Sequence, residues 1–447
     1  MHQTPLETPL YDALRAFADE RPLRMHMPGH KGIGLPLPEL KGYAAIDFTE
    51  TSRTGNLYAP GGPIEAAERL WADFWGSGAC LFLTGGATQG LHAALSLAAG
   101  PGEAVLMDRV SHRSLHTGMA LLDLRPVWLG RSWDAAAGVC GPVAPEAVDA
   151  ALQAHPDCRA VVVTSPTYYG VCSDLAAIAA VCHAHGARLV VDGAHGAHLP
   201  LFFGEDENPY AAADLAVVST HKTLPAPGQT ALLFATGCSM DELRAASQLF
   251  ATTSPSYPMM AALDRLRTWL ACGGAERCFQ AAEAVLELRE RYPCLQSSPA
   301  LPLDPMRLTL LTEDGFALAD TLEELGLYPE MADRNHVVLI VTGADGKEQI
   351  ERLAATLDTA GLAFSPAPEL ALDPPPEAEG VCTPRAAMLS RQVRLPLAES
   401  EGHVAAQPVA PYPPGVPVVA PGERIQKKHL AYLAQMGYNE PVTVCLS

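Results

Sequence analysis

Between residues 81 and 236 short apolar runs alternate with helix-patterned stretches, and this alternation restricts the fold more than any other feature of the chain. AVLMD (104–108) reads as a strand, and RAVVVTSPTYYG (159–170) as a strand running into a turn. DLAAIAAVCHAHG (174–186) has a helical pattern, with Asp174 placed to cap its start and Gly186 to stop its end. RLVVDGAHG (188–196), DLAVVSTHK (214–222) and ALLFAT (231–236) supply further strands. Apolar strands separated by helices predict an α/β architecture with a mostly parallel sheet. The turn PAPG (225–228) is too short for a helical crossover, so 231–236 is expected to run antiparallel to its predecessor.

The pattern changes after residue 259. A helical stretch, 259–292, is interrupted at Gly273-Gly274, and beyond it strands are expected at 306–311 and 336–342 with helices near 315–325 and 347–361. Proline-rich segments at 367–380 and 408–425 cannot be helix or central strand and read as loops, the second one extended and ordered. A chain of 447 residues suits a large domain plus a smaller one. The expected division is an N-terminal arm over 1–45, a large domain over 46–270 and a smaller C-terminal α+β domain over 271–447.

Several function classes are disfavoured. The formal net charge is −20, with acids spread along the chain, which argues against nucleic-acid and anionic-membrane partners. No apolar run reaches the roughly 18 residues of a membrane span, and the first residues lack the basic and apolar regions of a secretory signal. Eleven cysteines without a single C-x-x-C pair predict reduced thiols in a cytoplasm, with neither a disulfide framework nor a metal site.

Four places carry chemistry. Lys222, in STHK, falls just past an apolar strand, at the sheet edge where open α/β sheets bind ligands. A lysine there forms a Schiff base when burial or a neighbouring cation lowers its proton affinity. Asp192, in VVDGAHG, ends the preceding strand; a buried carboxylate needs a partner, and a protonated pyridine nitrogen is one. LFLTGGATQGLHAAL (81–95) reads as strand, glycine turn and helix, so that free N–H groups near Ala87 and Thr88 suit a phosphate. His112 follows the strand 104–108, where an imidazole can stack on a ring. Singly, each has an ordinary explanation: a surface lysine, a turn-capping aspartate, a packing turn, a turn histidine. The pair is more informative, because strand–Asp followed one βα unit later by strand–Ser-x-His-Lys is the layout of fold-type I pyridoxal-phosphate enzymes.

Taken together, these residues resemble the Orn/Lys/Arg decarboxylases, in the short form without an N-terminal wing domain. TPLYDAL (8–14), HMPGHKG (26–32), YAPGGPIEAA (58–67), TSPTYYGVCSDL (164–175), DGAHGAH (192–198), STHKTLPAPGQ (219–229), TSPSYPMMAALD (253–264) and PYPPGVPVVAPGE (411–423) carry the resemblance over nearly the whole chain. It implies a fold-type I large domain with pyridoxal 5′-phosphate as a Schiff base on Lys222. It further implies that Asp192 binds the pyridine nitrogen and His112 stacks on the ring. Ala87, Thr88, Ser219 and His221 would hold the phosphate, and Ala194 and His195 would line the cofactor or the substrate entrance. Lys222, His221, Asp192 and His112 are the expected catalytic residues, with Lys222 or His221 returning a proton to Cα. Glu423 is a candidate for the substrate's distal cation or for an interface, and the segment with His30 and Lys31 would pack across a homodimer contact. The short-form architecture resembles biosynthetic arginine decarboxylases.

The chain departs from the family pattern in three places. It has Gly193 where relatives often carry Glu, and Gly85-Gly86-Ala87-Thr88 where Asn-Gly-Thr-Thr is common. Gly55, Asn56 and Tyr58 stand where relatives commonly carry two acids and a His, so Asn56 and Tyr58 become candidate substrate residues. Those changes keep open another fold-type I reaction, transamination or a lyase step, and a non-catalytic cofactor-binding relative.

Overall fold

Each apolar run of the central region becomes a strand buried on both faces, which is why these strands read as continuous rather than alternating apolar sequence. The computed structural model describes residues 6–203, 208–368, 370, 373–411 and 416–446. The chain opens with helix α1 (Pro9–Asp19), followed by α2 (Gly62–Trp75), β1 (Ala79–Leu83), α3 (Gly86–Ala98), β2 (Ala104–Asp108), α4 (Arg113–Leu122) and β3 (Arg125–Leu129). After these come β4 (Cys158–Thr164), α5 (Leu175–Ala184), β5 (Arg188–Asp192), β6 (Leu215–Val218), a helical turn Thr220–Thr223 and β7 (Ala231–Ala235).

These strands form one seven-stranded sheet in the order β1-β7-β6-β5-β4-β2-β3. The β3, β2, β4, β5 and β6 neighbours pair in parallel. As the short PAPG turn predicts, β7 runs antiparallel to β6, and it is also antiparallel to β1 on its other side. Asp174 caps α5 by accepting from Ala177 N. Helix α3 lies close against the sheet because position 90 is glycine: a Cβ there would come within 2.5 Å of Leu83 and 2.8 Å of Val217.

Helix α6 (Met240–Gln248) leads to α7 (Tyr257–Trp269) and α8 (Ala275–Arg291). Between α7 and α8, Gly273 adopts φ 106, a conformation an L residue rarely tolerates, so the glycine pair kinks the long helical stretch. Strand β8 (Arg307–Leu311), helix α9 (Gly315–Glu324), β9 (Met331–Ala332), β10 (His336–Ile340) and α10 (Lys347–Thr359) follow, with an antiparallel sheet in the order β8-β10-β9. Near the end, β11 (Gln392–Leu395) pairs antiparallel with β12 (Val442–Cys445) over a small second core containing Val419, Ile425 and Leu433.

Residues 369, 371–372 and 412–415, within the two proline-rich stretches, lie outside the described residues. On either side of 412–415 the chain is ordered: Val409 and Val419 exchange backbone hydrogen bonds of 2.9 Å and above. This C-terminal part folds back onto the large sheet. Arg109, just after β2, forms an ion pair with Glu423 at 2.7 Å, and Arg385 donates to the carbonyls of Ala120 and Leu121 at the end of α4.

Candidate active site

The C-terminal ends of the parallel strands open on one cavity of about 290 Å³. At its floor is the first turn of α3. Gly86 takes φ 74, which turns the chain from β1 into the helix, and Gly86, Ala87 and Thr88 line the cavity. The first N–H groups of a helix lack partners within it and carry the positive end of its dipole, so this turn is an anion seat. Ser219, just after β6, and His221 line the same space. Nδ1 of His221 lies 2.8 Å from the carbonyl of Thr230; donating there, it leaves Nε2 as an acceptor.

Asp192 ends β5 and is only 2% exposed. Its Oδ1 accepts from Ala194 N at 3.1 Å. Burial pushes its carboxyl above the usual carboxylate range, with the positive charge of Lys222 opposing. A carboxylate at that depth is stabilised by a cation bound next to it. Lys222 sits on the helical turn after β6, where burial lowers its proton affinity; Asp192 and Glu330 act the other way and Arg307 adds to the lowering. A buried lysine of this kind holds a larger share of nucleophilic amine at neutral pH.

His112 serves two purposes. It caps α4, its Nδ1 accepting from Ser114 N at 3.2 Å and Ser114 Oγ at 2.9 Å, and its ring forms part of the cavity wall. Burial, with Lys222 and Arg113 nearby, brings its pKa down to about 4, so the ring is a neutral, flat surface at physiological pH. His195 lines the same cavity; its Nε2 lies 3.0 Å from Lys222 Nζ and its ring packs on Tyr168 with centroids 4.4 Å apart. Burial, then Lys222 and Arg307, hold this imidazole well below its usual range.

The structure therefore brings Ala87, Thr88, His112, Asp192, Ala194, His195, Ser219, His221 and Lys222 to one cavity. The three candidate substrate residues are elsewhere in the chain. Glu423 is 3% exposed, and its two oxygens take Arg109 at 2.7 and 2.8 Å while one also accepts from Ala420 N. Its carboxylate is thus committed to tying the C-terminal segment to the large domain, and no free oxygen faces a substrate. Asn56 Oδ1 accepts from Tyr58 N, closing a local turn. Tyr58 packs against the core near Gln89, away from the cavity lining.

Sequence reasoning passed over other residues at the site. Tyr168 and Pro166 line the cavity. So does Thr164, whose hydroxyl is buried without a hydrogen-bond partner among the described residues. Tyr168 OH donates at 2.5 Å to Glu330, an exposed acid from the loop before β9. Tyr168 and Thr164 lie inside the TSPTYYG motif, which could have flagged them; Glu330 stands in a stretch with no motif or periodicity.

A model of the Orn/Lys/Arg decarboxylase major domain matches residues 8–305, and one of the C-terminal domain of the same family matches residues 366–440. The chain belongs to the Orn/Lys/Arg decarboxylase family. It is 30% identical to the uncharacterized protein YaaO of Bacillus subtilis (strain 168), over 96% of this chain and 94% of that protein. It is 29% identical to an arginine decarboxylase of the same organism, over 96% of this chain and 93% of the relative. The lysine decarboxylase LdcF of Francisella novicida has the same fold, with a TM-score of 0.81 at 18% identity, covering 99% of this chain and 82% of that one.

Family membership makes the chain a pyridoxal-phosphate-dependent amino-acid decarboxylase. The cavity residues fit that cofactor: an anion seat for the phosphate, a buried carboxylate for the ring nitrogen, a flat imidazole for the ring face, and a lysine of lowered proton affinity for the aldehyde. The orphaned Thr164 hydroxyl adds a polar group on the wall that still needs a partner.

Proposed function

We propose that this chain decarboxylates a basic amino acid, with arginine the first choice among arginine, lysine and ornithine, and that Lys222 carries the cofactor. The observation that carries the reading is the convergence of Lys222, Asp192, His112 and the α3 N-terminus on one cavity with Glu330 beside its wall. Arginine comes first because the arginine decarboxylase relative is matched at 29% identity, against 24% for a lysine decarboxylase of Escherichia coli matched over 94% of this chain.

Pyridoxal phosphate, when bound, supplies the electron sink for breaking the bond between Cα and the carboxylate. Asp192 holds the proton on the ring nitrogen, because its buried carboxylate is stabilised by that positive charge. His112 would offer its neutral imidazole to one face of the ring and help exclude water. Lys222 would give up the cofactor to the substrate amine, and either Lys222 or His221, once its Nε2 has taken up a proton, would bring the proton that replaces CO₂ on Cα. Tyr168 holds Glu330 by a 2.5 Å hydrogen bond, and Glu330 takes the distal cation of the substrate.

We place the chain in a homodimer whose contact uses the N-terminal arm. Leu23, Met25 and Ile33 are 87%, 81% and 84% exposed, an apolar display that a partner surface would cover. No helix among the described residues is long and apolar enough to cross a membrane.

The test uses the full-length protein loaded with pyridoxal phosphate and given carboxyl-labelled arginine, lysine and ornithine in separate reactions. Labelled CO₂ with the matching amine is expected, most from arginine. Release from none of the three, with the cofactor bound, would refute the reaction; release greatest from lysine or ornithine would correct the substrate.

A further inference from the structure

We propose that Arg307 is a positioning residue for Lys222: it donates to Nδ1 of His195, fixes the ring proton on Nε2, and so offers Lys222 a donor that only a neutral amine can accept. This rests on the reading of Lys222 as the cofactor-bearing lysine.

Arg307 begins β8 in the smaller domain, far along the chain from the cavity residues, and is 1% exposed. Its Nη2 lies 3.4 Å from His195 Nδ1, and His195 Nε2 lies 3.0 Å from Lys222 Nζ. A guanidinium only donates hydrogen bonds, so Nδ1 must present its lone pair. A neutral imidazole then carries its single proton on Nε2. An ammonium group has no lone pair to receive that proton, whereas an amine has one. The contact with Tyr168 keeps the His195 ring from turning out of this alignment.

The charge of Arg307 works in the same direction. Asp304 Oδ2 stands 3.9 Å from it, while the other carboxylate oxygen takes His198 at 2.7 Å and Met306 N at 2.8 Å. Nη1 of Arg307 is buried without a hydrogen-bond partner among the described residues. Of the groups facing Lys222, Asp192 from β5 and Glu330 from the loop before β9 favour the ammonium form. The imidazoles of His112 and His195 are uncharged, and Arg307 is the cation that opposes the two acids.

The experiment follows the growth of the visible chromophore when pyridoxal phosphate is added to the cofactor-stripped full-length protein, as a function of pH. Its rate tracks the neutral fraction of Lys222. Arg307→Gln and His195→Phe are each expected to move the midpoint up by about one pH unit, so that uptake below the midpoint slows about tenfold. The phenylalanine ring keeps the packing on Tyr168 and removes both nitrogens. His195→Gln presents an acceptor and a donor in the same order, and is expected to keep the midpoint near that of the parent protein. The double variant Arg307→Gln/His195→Phe should shift no further than Arg307→Gln alone, because that single variant already removes both the relay and the charge.

Unchanged midpoints in folded Arg307→Gln and His195→Phe proteins would overturn the proposal. So would a His195→Gln midpoint displaced as far as that of His195→Phe, since packing alone would then explain both. If Arg307→Gln does not fold, the His195 pair decides. A parent protein that forms no chromophore would remove the reading of Lys222 and this inference with it. A chromophore that forms normally, with midpoints that ignore Arg307 and His195, removes the inference alone.

Discussion

Replacing Glu423 by glutamine separates its two possible roles. Its Oε1 takes Arg109 Nη1 at 2.7 Å, and its Oε2 takes Arg109 Nη2 at 2.8 Å and Ala420 N at 2.7 Å. Glutamine keeps the shape but offers one oxygen and one NH₂ group. Whichever way the amide turns, its NH₂ confronts a donor, and Arg109 loses its compensating charge. Removing one member of a buried pair costs about 3–5 kcal/mol. Arg109 keeps 20% of its side chain exposed and also lies over Trp128, its guanidinium 4.7 Å from the ring, so the low end applies, about 3 kcal/mol. Urea unfolding monitored by circular dichroism is the assay, alongside KM for arginine. The expected result is an earlier unfolding midpoint with KM within about twofold of the parent value. An unmoved midpoint together with a raised KM would refute the reasoning and return Glu423 to the substrate.

Glu330→Gln should raise KM for the basic substrate about tenfold while leaving kcat within about twofold, as steady-state kinetics would show; an unchanged KM would remove Glu330 from substrate binding. Asp192→Asn should slow decarboxylation by about two orders of magnitude, the scale of one lost electrostatic contact to the reacting system, and a variant within threefold of the parent would contradict its assignment. Burial raises the pKa of Asp264 to about 6, although Leu10 N and Tyr11 N donate to it. The stability linked to its protonated form is present below the unfolded value of about 4 and is lost as pH rises through about 6. Asp264→Asn should therefore gain on the parent by about 2–3 kcal/mol between pH 4 and pH 7 in urea unfolding, and a difference that does not vary with pH would refute this.

The strands were readable because a parallel sheet buried on both faces leaves uninterrupted apolar runs, and AVLMD coincides with β2 residue for residue. Lys222 and Asp192 were readable because Asp192 closes its strand and Lys222 lies on the turn that follows the next one, so that local sequence and sheet topology bring both to one edge. Arg307 and Glu330 reach the site only when β8 and the loop before β9 pack against the cavity, and nothing near either residue in the sequence announces that approach. Glu423 carried two readings in the sequence, a substrate cation or an interface, for the related reason that its partner, Arg109, comes just after a strand in the other part of the chain. A carboxylate in a proline-rich segment looks free until the tertiary contact is seen. Asn56 and Tyr58 were singled out by departures from a family pattern, which mark a difference without locating it relative to this chain's cavity.

The most direct test is to load the protein with pyridoxal phosphate, reduce it with borohydride, digest it and locate the modified lysine by mass spectrometry. A pyridoxyl group on Lys222, absent from Lys222→Ala along with all turnover, is the expected result. A pyridoxyl group on another lysine, or a Lys222→Ala protein that still decarboxylates, would contradict the account.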